Sequence, residues 1–403
     1  MSERRPSGPS RRSAIAPFIV MEVMASANAR AAAGADVLHL EVGQPGGGAP
    51  PAAIAAAKAA MTSGSCGYTE AFGLMALRRR ISEHYRVVHG VQVDPERVAI
   101  TVGASGAFIL AFIAAFEAGD RVVVTEPGYP AYRNILAALG VEVVAVPTDI
   151  ATRFQPTPEL LERVAGPIHG LVLASPSNPA GTMLGNAELE RLVGYCRPRG
   201  VRVVSDEIYH GITYDQPAET ALAFCRDAIV VNSFSKYFCM TGWRLGWLVL
   251  PDVLVGPVTR LAQNLFISAP TIAQHAALGA FGDLPRLERR IERYRRNRGR
   301  LLRALPAMGL TRTAPADGAF YLYVDVSDFT DDSVHLCRRL LHDTGVALTP
   351  GVDFDPRRGH QFVRLSFAGA EAEIAEACER LRSWFAAAGG RPVEAPALVA
   401  AGS

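Results

Sequence analysis

The sequence predicts an α/β fold, with a large domain built on a mainly parallel sheet flanked by helices and a smaller α+β domain. Short apolar runs such as "RVAITVG", "DRVVVTEPGY" and "VRVVSDEIY" alternate with helical segments, a pattern typical of parallel sheets covered on both faces. After about residue 287 a long helix precedes "GAFYLYVDV", "GVALTPG" and "QFVRLSFAG", with further helices between and after them. This change of pattern indicates a second, smaller unit.

The chain of 403 residues is long enough for two domains with separate cores. The start "SRRSAIAPFIVMEVMA" mimics a signal peptide, but Glu22 interrupts its apolar stretch, so we expect an ordered arm instead. Both chain ends are rich in small residues and proline, which favours disorder. The predicted segments are a disordered N terminus (1–13), an N-terminal arm joining the small domain (14–45), the large domain (46–286), the small domain (287–388) and a flexible tail (389–403).

Composition excludes several classes of partner. The net charge is only +2, so we expect no nucleic acid and no membrane surface as partners. No apolar run approaches the length of a transmembrane helix. The six cysteines form no CxxC pair and lie at no zinc spacing from histidines, so we expect no metal site. Reduced thiols of this kind favour a cytoplasmic location.

Each predicted strand of the large domain ends in a polar cluster. These clusters are "TVGASG", "EPGY", "SPSNPAG", "SDEIY" and "NSFSK". In open parallel sheets, ligands bind beside the carboxyl ends of the strands. We therefore expect the chemistry of this protein to lie in these five segments.

Lys236 is the first candidate for a chemical role. The chain holds 41 basic residues, and only Lys58 and Lys236 are lysines. Unlike arginine, a lysine can lose its proton when buried and then form an imine. Lys236 lies among aromatic residues in "SFSKYFCMTGWRLGW", which suits a buried amine. Lys58, in the alanine-rich "PAAIAAAKAAM", is expected to be an ordinary surface cation.

Pyridoxal phosphate (PLP) is a cofactor that binds to a lysine as an imine. The other groups that it needs, at its ring nitrogen, phenolic oxygen, ring face and phosphate, have candidates at strand ends. Asp206 follows an apolar run, where a carboxylate needs a cation such as the pyridinium nitrogen; a helix cap is the alternative. Asn178 and Tyr209 could donate to the phenolic oxygen, although Asn-Pro is also a plain turn signal. Tyr129 could cover the ring face or could be ordinary core.

A phosphate site is predicted by a second set of residues. The small residues of "TVGASGAF" lie at a strand-to-helix turn, where the backbone amides of Ala104 and Ser105 could bind an anion. The hydroxyls of Ser233 and Ser235 and the guanidinium of Arg244 could complete the site. Gly-rich turns are common, so the turn alone would be weak support.

With these residues in place, the chain resembles the class I (class I/II) PLP-dependent aminotransferases of fold type I, from about Ile15 to Ala388. "SFSKYFCMTGWRLGW" matches the lysine segment of that family, with an arginine eight residues after the lysine. "SDEIY", "SNPAG", "FVRLSFA" and "GYTEAFGLMALRRRI" match further motifs in the expected order.

The resemblance implies a PLP enzyme that moves an amino group between an L-amino acid and a 2-oxo acid by a ping-pong route. Lys236 would form the aldimine and shuttle the proton, and the phosphate, ring and phenolic-oxygen contacts would be those assigned above. Arg364 would hold the substrate α-carboxylate, helped by Gly43 and Asn178. Tyr68 would reach the phosphate of a neighbouring subunit, which implies a homodimer with shared active sites.

The chain departs from the family at three places. "GQPGGGAP" lacks the acidic residue that commonly follows the glycine-proline element, and "PGVDFDPRRG" puts Asp353 where a small hydroxyl residue is typical. Some bacterial aspartate aminotransferases of this group carry a lysine at the position of Ser105, where it contacts the distal carboxylate. The serine argues against aspartate specificity by that route.

Four other functions are alternatives to an aminotransferase. A PLP-dependent C–S β-lyase or a cyclopropane-forming synthase would use the same cofactor residues and differ in the substrate pocket. A PLP-binding regulatory module usually carries an N-terminal DNA-binding domain, for which the chain has no room. An NAD-linked dehydrogenase needs a GxGxxG after a strand, and the sequence has none.

Overall fold

The structure, a computed structural model, describes residues 8–387, so residues 1–7 and the predicted tail 389–403 lie outside it. The strands described there are β1 Leu38–His39, β2 Val98–Thr101, β3 Arg121–Glu126, β4 Glu142–Pro147, β5 Gly170–Ala174, β6 Arg202–Asp206, β7 Ile229–Ser233, β8 Gly246–Val249, β9 Tyr321–Asp325, β10 Val346–Ala347, β11 Thr349–Pro350 and β12 Phe362–Ser366. The helices are α1 Ile19–Ala32, α2 Pro51–Thr62, α3 Met75–His89, α4 Gly103–Ala115, α5 Pro130–Ala138, α6 Pro158–Glu162, α7 Asn186–Cys196, α8 Asp252–Leu265, α9 Thr271–Ala280, α10 Leu284–Ala304, α11 Ser333–Thr344 and α12 Glu371–Ala387.

The large sheet has seven strands in the order β2-β8-β7-β6-β5-β3-β4. All neighbouring pairs are parallel except those made by β8, which runs antiparallel to β2 and β7. The predicted mainly parallel sheet is therefore confirmed. Strand β8 was not among the predicted elements, because its four residues "GWLV" follow the lysine segment without a strong turn signal between them.

Both faces of this sheet are buried, which explains its apolar, β-branched strands. In β3, Val124 packs in one core with Phe108 of α4, while Val123 packs in another with Leu192 of α7. Successive side chains of a strand point to opposite faces. Burial on both faces thus replaces the alternating apolar and polar pattern of a half-exposed strand with a continuous apolar run.

A second sheet is small and antiparallel, with the order β11-β12-β9. Its core contains Phe320, Leu336 and Leu381, together with Leu38 and Leu40 from near the N terminus. The N-terminal segment joins this region because β1 pairs in parallel with β10. The predicted α+β unit is therefore confirmed as an architecture, whereas the exact segment limits stay predictions.

Two further features concern the helices. The long helix expected after about residue 287 is α10, which carries nine arginines and whose buried side chains include Leu287, Ile291 and Leu301. Within the described residues, no helix combines the length and hydropathy needed to cross a bilayer.

Candidate active site

A cavity of about 340 Å³ opens at the carboxyl ends of the large sheet's strands, between that sheet, α1 and the small sheet. The parallel strands β5, β6 and β7 end beside one another, so the loops that follow them meet there. The cavity lining includes eleven of the thirteen residues predicted from sequence: Gly43, Ala104, Ser105, Tyr129, Asn178, Asp206, Tyr209, Ser235, Lys236, Arg244 and Arg364.

Lys236 projects into this cavity three residues after β7 ends. Its ammonium donates a hydrogen bond to the carbonyl of Gly43 and lies 5.9 Å from the ring centroids of Tyr209 and Phe320. Burial, together with the cations Arg364 and Arg244, lowers the pKa of Lys236 to about 8, although Asp206 opposes this shift. A sizeable fraction of the amine is therefore neutral near pH 8 and able to act as a nucleophile or base.

Asp206, at the end of β6, is 4% exposed. One carboxylate oxygen accepts the amide of Ile208 at 3.1 Å and the other accepts the hydroxyl of Tyr132. Burial raises its pKa to about 6, although these two hydrogen bonds and Lys236 lower it. No basic residue among 8–387 forms a salt bridge with it. Such a carboxylate fits a cationic ring nitrogen of a ligand.

Arg364, in β12, is a buried cation that is 3% exposed and pairs with no carboxylate in the described part of the chain. It donates to the side-chain oxygen of Asn178 at 2.9 Å and to the backbone carbonyl of Glu41, while its Nε has no partner there. The rings of Tyr321 and Phe354 lie 4.4 and 4.8 Å from its guanidinium carbon. A guanidinium held in this way is a site for the carboxylate of a ligand.

An anion cradle forms where α4 begins. No side chain caps α4, so the first-turn amides of Ala104 and Ser105 remain free to donate. Gly103 has φ +66°, and a Cβ built on it would lie 2.5 Å from the guanidinium of Arg244. The backbone and the arginine thus approach each other as closely as glycine permits, with Ser235 nearby in the lining.

Gly43 is required for a second close approach. A Cβ at this position would lie 2.1 Å from the hydroxyl oxygen of Tyr321, so no larger residue fits without displacing that tyrosine. The Tyr321 hydroxyl in turn bonds the Tyr209 hydroxyl at 2.8 Å. The tyrosine pair is thereby fixed beside Lys236.

Ser233 and Tyr68 are the two predicted residues that the structure does not bring to the cavity lining. The buried hydroxyl of Ser233 donates to the carbonyl of Leu245 at 2.9 Å and also contacts the hydroxyl of Ser235. In the structure Ser233 therefore contacts Ser235, and its direct contact with phosphate stays a prediction. Tyr68 is 86% exposed, and its role at a neighbouring subunit stays a prediction.

Sequence analysis missed two kinds of site residue. Tyr132 and Tyr321 lie in ordinary apolar segments, and nothing in their spacing distinguishes them from core tyrosines. The cavity is also lined by four apolar side chains at the start of α1, a segment that was predicted only to be an ordered arm: Phe18, Val20, Met21 and Met24.

Comparisons with known proteins agree with this geometry. Residues 35–381 match the family model for aminotransferase class I and II. The chain belongs to this family. It is 48% identical over 377 residues to the valine–pyruvate aminotransferase of Mycobacterium tuberculosis, covering 93% of this chain and 97% of that protein.

Solved structures give the same result. An aminotransferase from M. tuberculosis superposes with a TM-score of 0.93 at 47% identity, covering 94% of this chain and 99% of the other. A putative aminotransferase from Silicibacter pomeroyi gives a TM-score of 0.89 at 47% identity, covering 94% and 100% of the two chains.

The aminotransferase therefore transfers an amino group between an amino acid and a 2-oxo acid, and its fold is the fold type I architecture predicted from sequence. The preference for an aminotransferase over a lyase, a synthase, a regulatory module or a dehydrogenase is confirmed. Enzymes of this family use pyridoxal phosphate.

The lowered pKa of Lys236 can be tested by amine labelling, because only the neutral amine reacts. Lys58, on the exposed face of α2, serves as an internal reference in the same chain. In cofactor-free protein we expect the labelling rate of Lys236 by a small acylating reagent to rise with a midpoint near pH 8. Replacing Arg364 with methionine should move this midpoint upward, because a cation that lowers the pKa is lost. Peptide mass spectrometry measures both lysines. A midpoint that stays in place in the variant would contradict the electrostatic account.

Proposed function

We propose that the enzyme takes the amino group of L-valine or a similar apolar L-amino acid and passes it to pyruvate, using PLP bound in the cavity described above. The observation that carries this proposal is the buried Arg364, which has no carboxylate partner among residues 8–387 and faces the same cavity as Lys236. The M. tuberculosis relative named for valine and pyruvate supports the choice of substrates.

The residues present fit this cofactor. Asp206 would hold the protonated pyridine nitrogen, and Tyr129 would cover the ring. The phosphate would lie on the amides of Ala104 and Ser105, with Ser235 and Arg244 as side-chain donors. When bound, PLP supplies an electron sink that stabilises negative charge at the substrate Cα.

The phenolic oxygen of the cofactor would be met by Asn178 and Tyr209. The side-chain oxygen of Asn178 already accepts from Arg364 at 2.9 Å, which leaves its amide hydrogens to donate. Tyr209 is held by Tyr321 at 2.8 Å. One asparagine would thus connect the carboxylate site to the cofactor site.

Arg364 and the start of α1 would select the donor. The guanidinium would bind the α-carboxylate with Gly43 beside it, and the side chain would then face the apolar residues of α1. The basic residues of the lining are Lys236, Arg244 and Arg364. All three have roles above, so the described lining offers no further cation to a distal carboxylate, which favours an apolar donor over aspartate.

Lys236 would carry the amino-transfer chemistry. Its amine lies beside Gly43 and the tyrosine pair, on the side of the cavity where Arg364 would hold the substrate. With the pKa near 8, Lys236 can both accept the Cα proton and return it to the cofactor side. The proton that Lys236 carries would exchange little with water, because aromatic rings surround the amine.

We further propose a homodimer in which Tyr68 completes the phosphate site of the partner. Tyr68 is far from buried and takes no part in its own cavity lining. Arg244 is also exposed in the single chain. A hydroxyl supplied by a second copy would cover this open side of the phosphate cradle.

A cytoplasmic location is likewise proposed. All six cysteines are free thiols in the structure. Unpaired cysteines in this number suit a reducing compartment.

Visible absorbance of PLP-loaded protein tests the reaction. Adding L-valine should convert the long-wavelength band to a shorter-wavelength band, and pyruvate should restore it with release of alanine. Lys236→Ala should stay folded and lose this cycle, whereas Lys58→Ala, the matched control, should keep it. A Lys236→Ala variant with wild-type turnover would refute the role of the lysine, and a band unchanged by valine would refute the donor.

Mixed dimers test the shared site. Tyr68→Phe should weaken PLP binding about tenfold through loss of a hydrogen bond to a charged group. A dimer that pairs one Tyr68→Phe subunit with one Lys236→Ala subunit should regain one site of wild-type PLP affinity and turnover, because both substitutions then fall in the other site. Sedimentation of the active enzyme as a monomer of 43.1 kDa would contradict the proposal.

A further inference from the structure

Helix α1 begins without a cap from its own sequence. Its N-cap position is Phe18, whose side chain has no hydrogen-bonding group. The first two helical amides are instead satisfied by Asp353, more than 330 residues away. One carboxylate oxygen accepts the amide of Ile19 at 3.1 Å and the other accepts the amide of Val20 at 3.2 Å. Asp353 therefore serves as a helix cap supplied from another part of the chain.

Asp353 is 1% exposed, and its carboxylate makes no salt bridge with a basic residue of the described chain. Burial raises its pKa, and the two backbone amides, Arg364 and Arg133 oppose this rise. The partial positive charge at the start of a helix stabilises a carboxylate placed there. The helix is thus the direct partner of this buried charge.

The loop that carries Asp353 is tied to the substrate site. It follows β11, in which Thr349 pairs with Arg364 of β12. The next residue, Phe354, lies 4.8 Å from the Arg364 guanidinium. Arg133 also donates to the backbone carbonyl of Asp353 at 2.6 Å and holds the turn against the large domain. The cap and the proposed carboxylate site are therefore parts of one rigid segment.

Asp353 also contacts the start of α1, which forms an apolar wall of the cavity. Val20, Met21 and Met24 project into it from the first turns of α1. Phe18 packs edge-to-face on Tyr129 at 5.6 Å between ring centroids. A shift of the first turn of α1 would move all these groups relative to Arg364.

We propose that Asp353 is a positioning residue that fixes the start of α1 relative to Arg364, and so sets how well the cavity receives a branched apolar donor side chain. This inference rests on the proposed function, because it assumes that Arg364 holds the donor carboxylate. It adds a residue with no contact to the donor as a determinant of donor selectivity.

A donor comparison in Asp353→Asn tests the proposal. Asparagine keeps the shape and one acceptor but loses the charge and the second acceptor. We expect kcat/KM for L-valine to fall about tenfold, mainly through a higher KM. The reason is that a lost helix cap destabilises the first turn of α1, which forms the wall that the valine side chain contacts. L-Alanine, whose methyl group makes fewer contacts with the wall, should be affected less than L-valine. Equal losses for both donors, or no loss for either, would overturn the proposal.

Asp355→Asn is the matched control. Asp355 lies in the same loop, is also buried, and pairs with Arg358 at 2.8 Å without contacting α1. If loop disruption were the cause, this variant would show the same change in donor preference. We expect it to leave the ratio of valine to alanine activity as in the wild type.

Hydrogen exchange separates failure of this inference from failure of the proposed function. Exchange of the Ile19 and Val20 amides should be faster in Asp353→Asn than in wild type or Asp355→Asn, whether or not valine is a substrate. Unchanged exchange of these amides would refute the cap itself. Wild-type enzyme that turns over neither valine nor alanine would refute the proposed donor class, while the exchange result would stand.

Discussion

The site depends on buried charges that form no salt bridge within the described part of the chain. Asp206 and Arg364 are both almost inaccessible to water, and neither forms a salt bridge among residues 8–387. Lys236 lies between them with a pKa lowered by burial. Removing such groups from water is costly unless an opposite charge is supplied. The proposed ligands supply it: a cationic ring nitrogen for Asp206 and a carboxylate for Arg364.

The fold assembles these charges because it brings distant segments to one edge of the large sheet. Strands β6 and β7 end side by side, which places Asp206, the last residue of β6, near the loop after β7 that carries Lys236. Arg364 comes from β12 of the small sheet, and α1 adds an apolar wall from the start of the chain. Asp353 caps α1 and lies in the segment that leads from β11 to Arg364, so the apolar wall is connected to the charged groups through one loop.

Sequence alone predicted what depends on local pattern. Asp206 and Asn178 could be singled out because they lie in polar clusters after apolar runs, which end at the ligand edge of a parallel sheet. Lys236 lies in such a cluster too and is one of only two lysines in the chain. Tyr132 could not be predicted, since its bond to Asp206 joins β6 to a helix 74 residues away. The hydrogen bond of the Ser233 hydroxyl to the carbonyl of Leu245 could not be predicted either, because a strand-end hydroxyl can turn toward the solvent edge or toward the protein. Asp353 stood out as a departure from the family, yet its partners on α1 are visible only in three dimensions.

The central claim is that the ionised Asp206 destabilises the protein until a cationic ligand binds beside it. Thermal unfolding of Asp206→Asn tests this claim most directly. Burial raises the pKa of Asp206 in the folded state to about 6. The folded protein therefore loses stability as pH rises through that value and the carboxyl group ionises. At pH 8 the variant should therefore unfold at a higher temperature than wild type without PLP, and at a lower temperature with PLP. A variant less stable than wild type in both states would show that Asp206 is a structural carboxylate already satisfied by Tyr132 and Ile208.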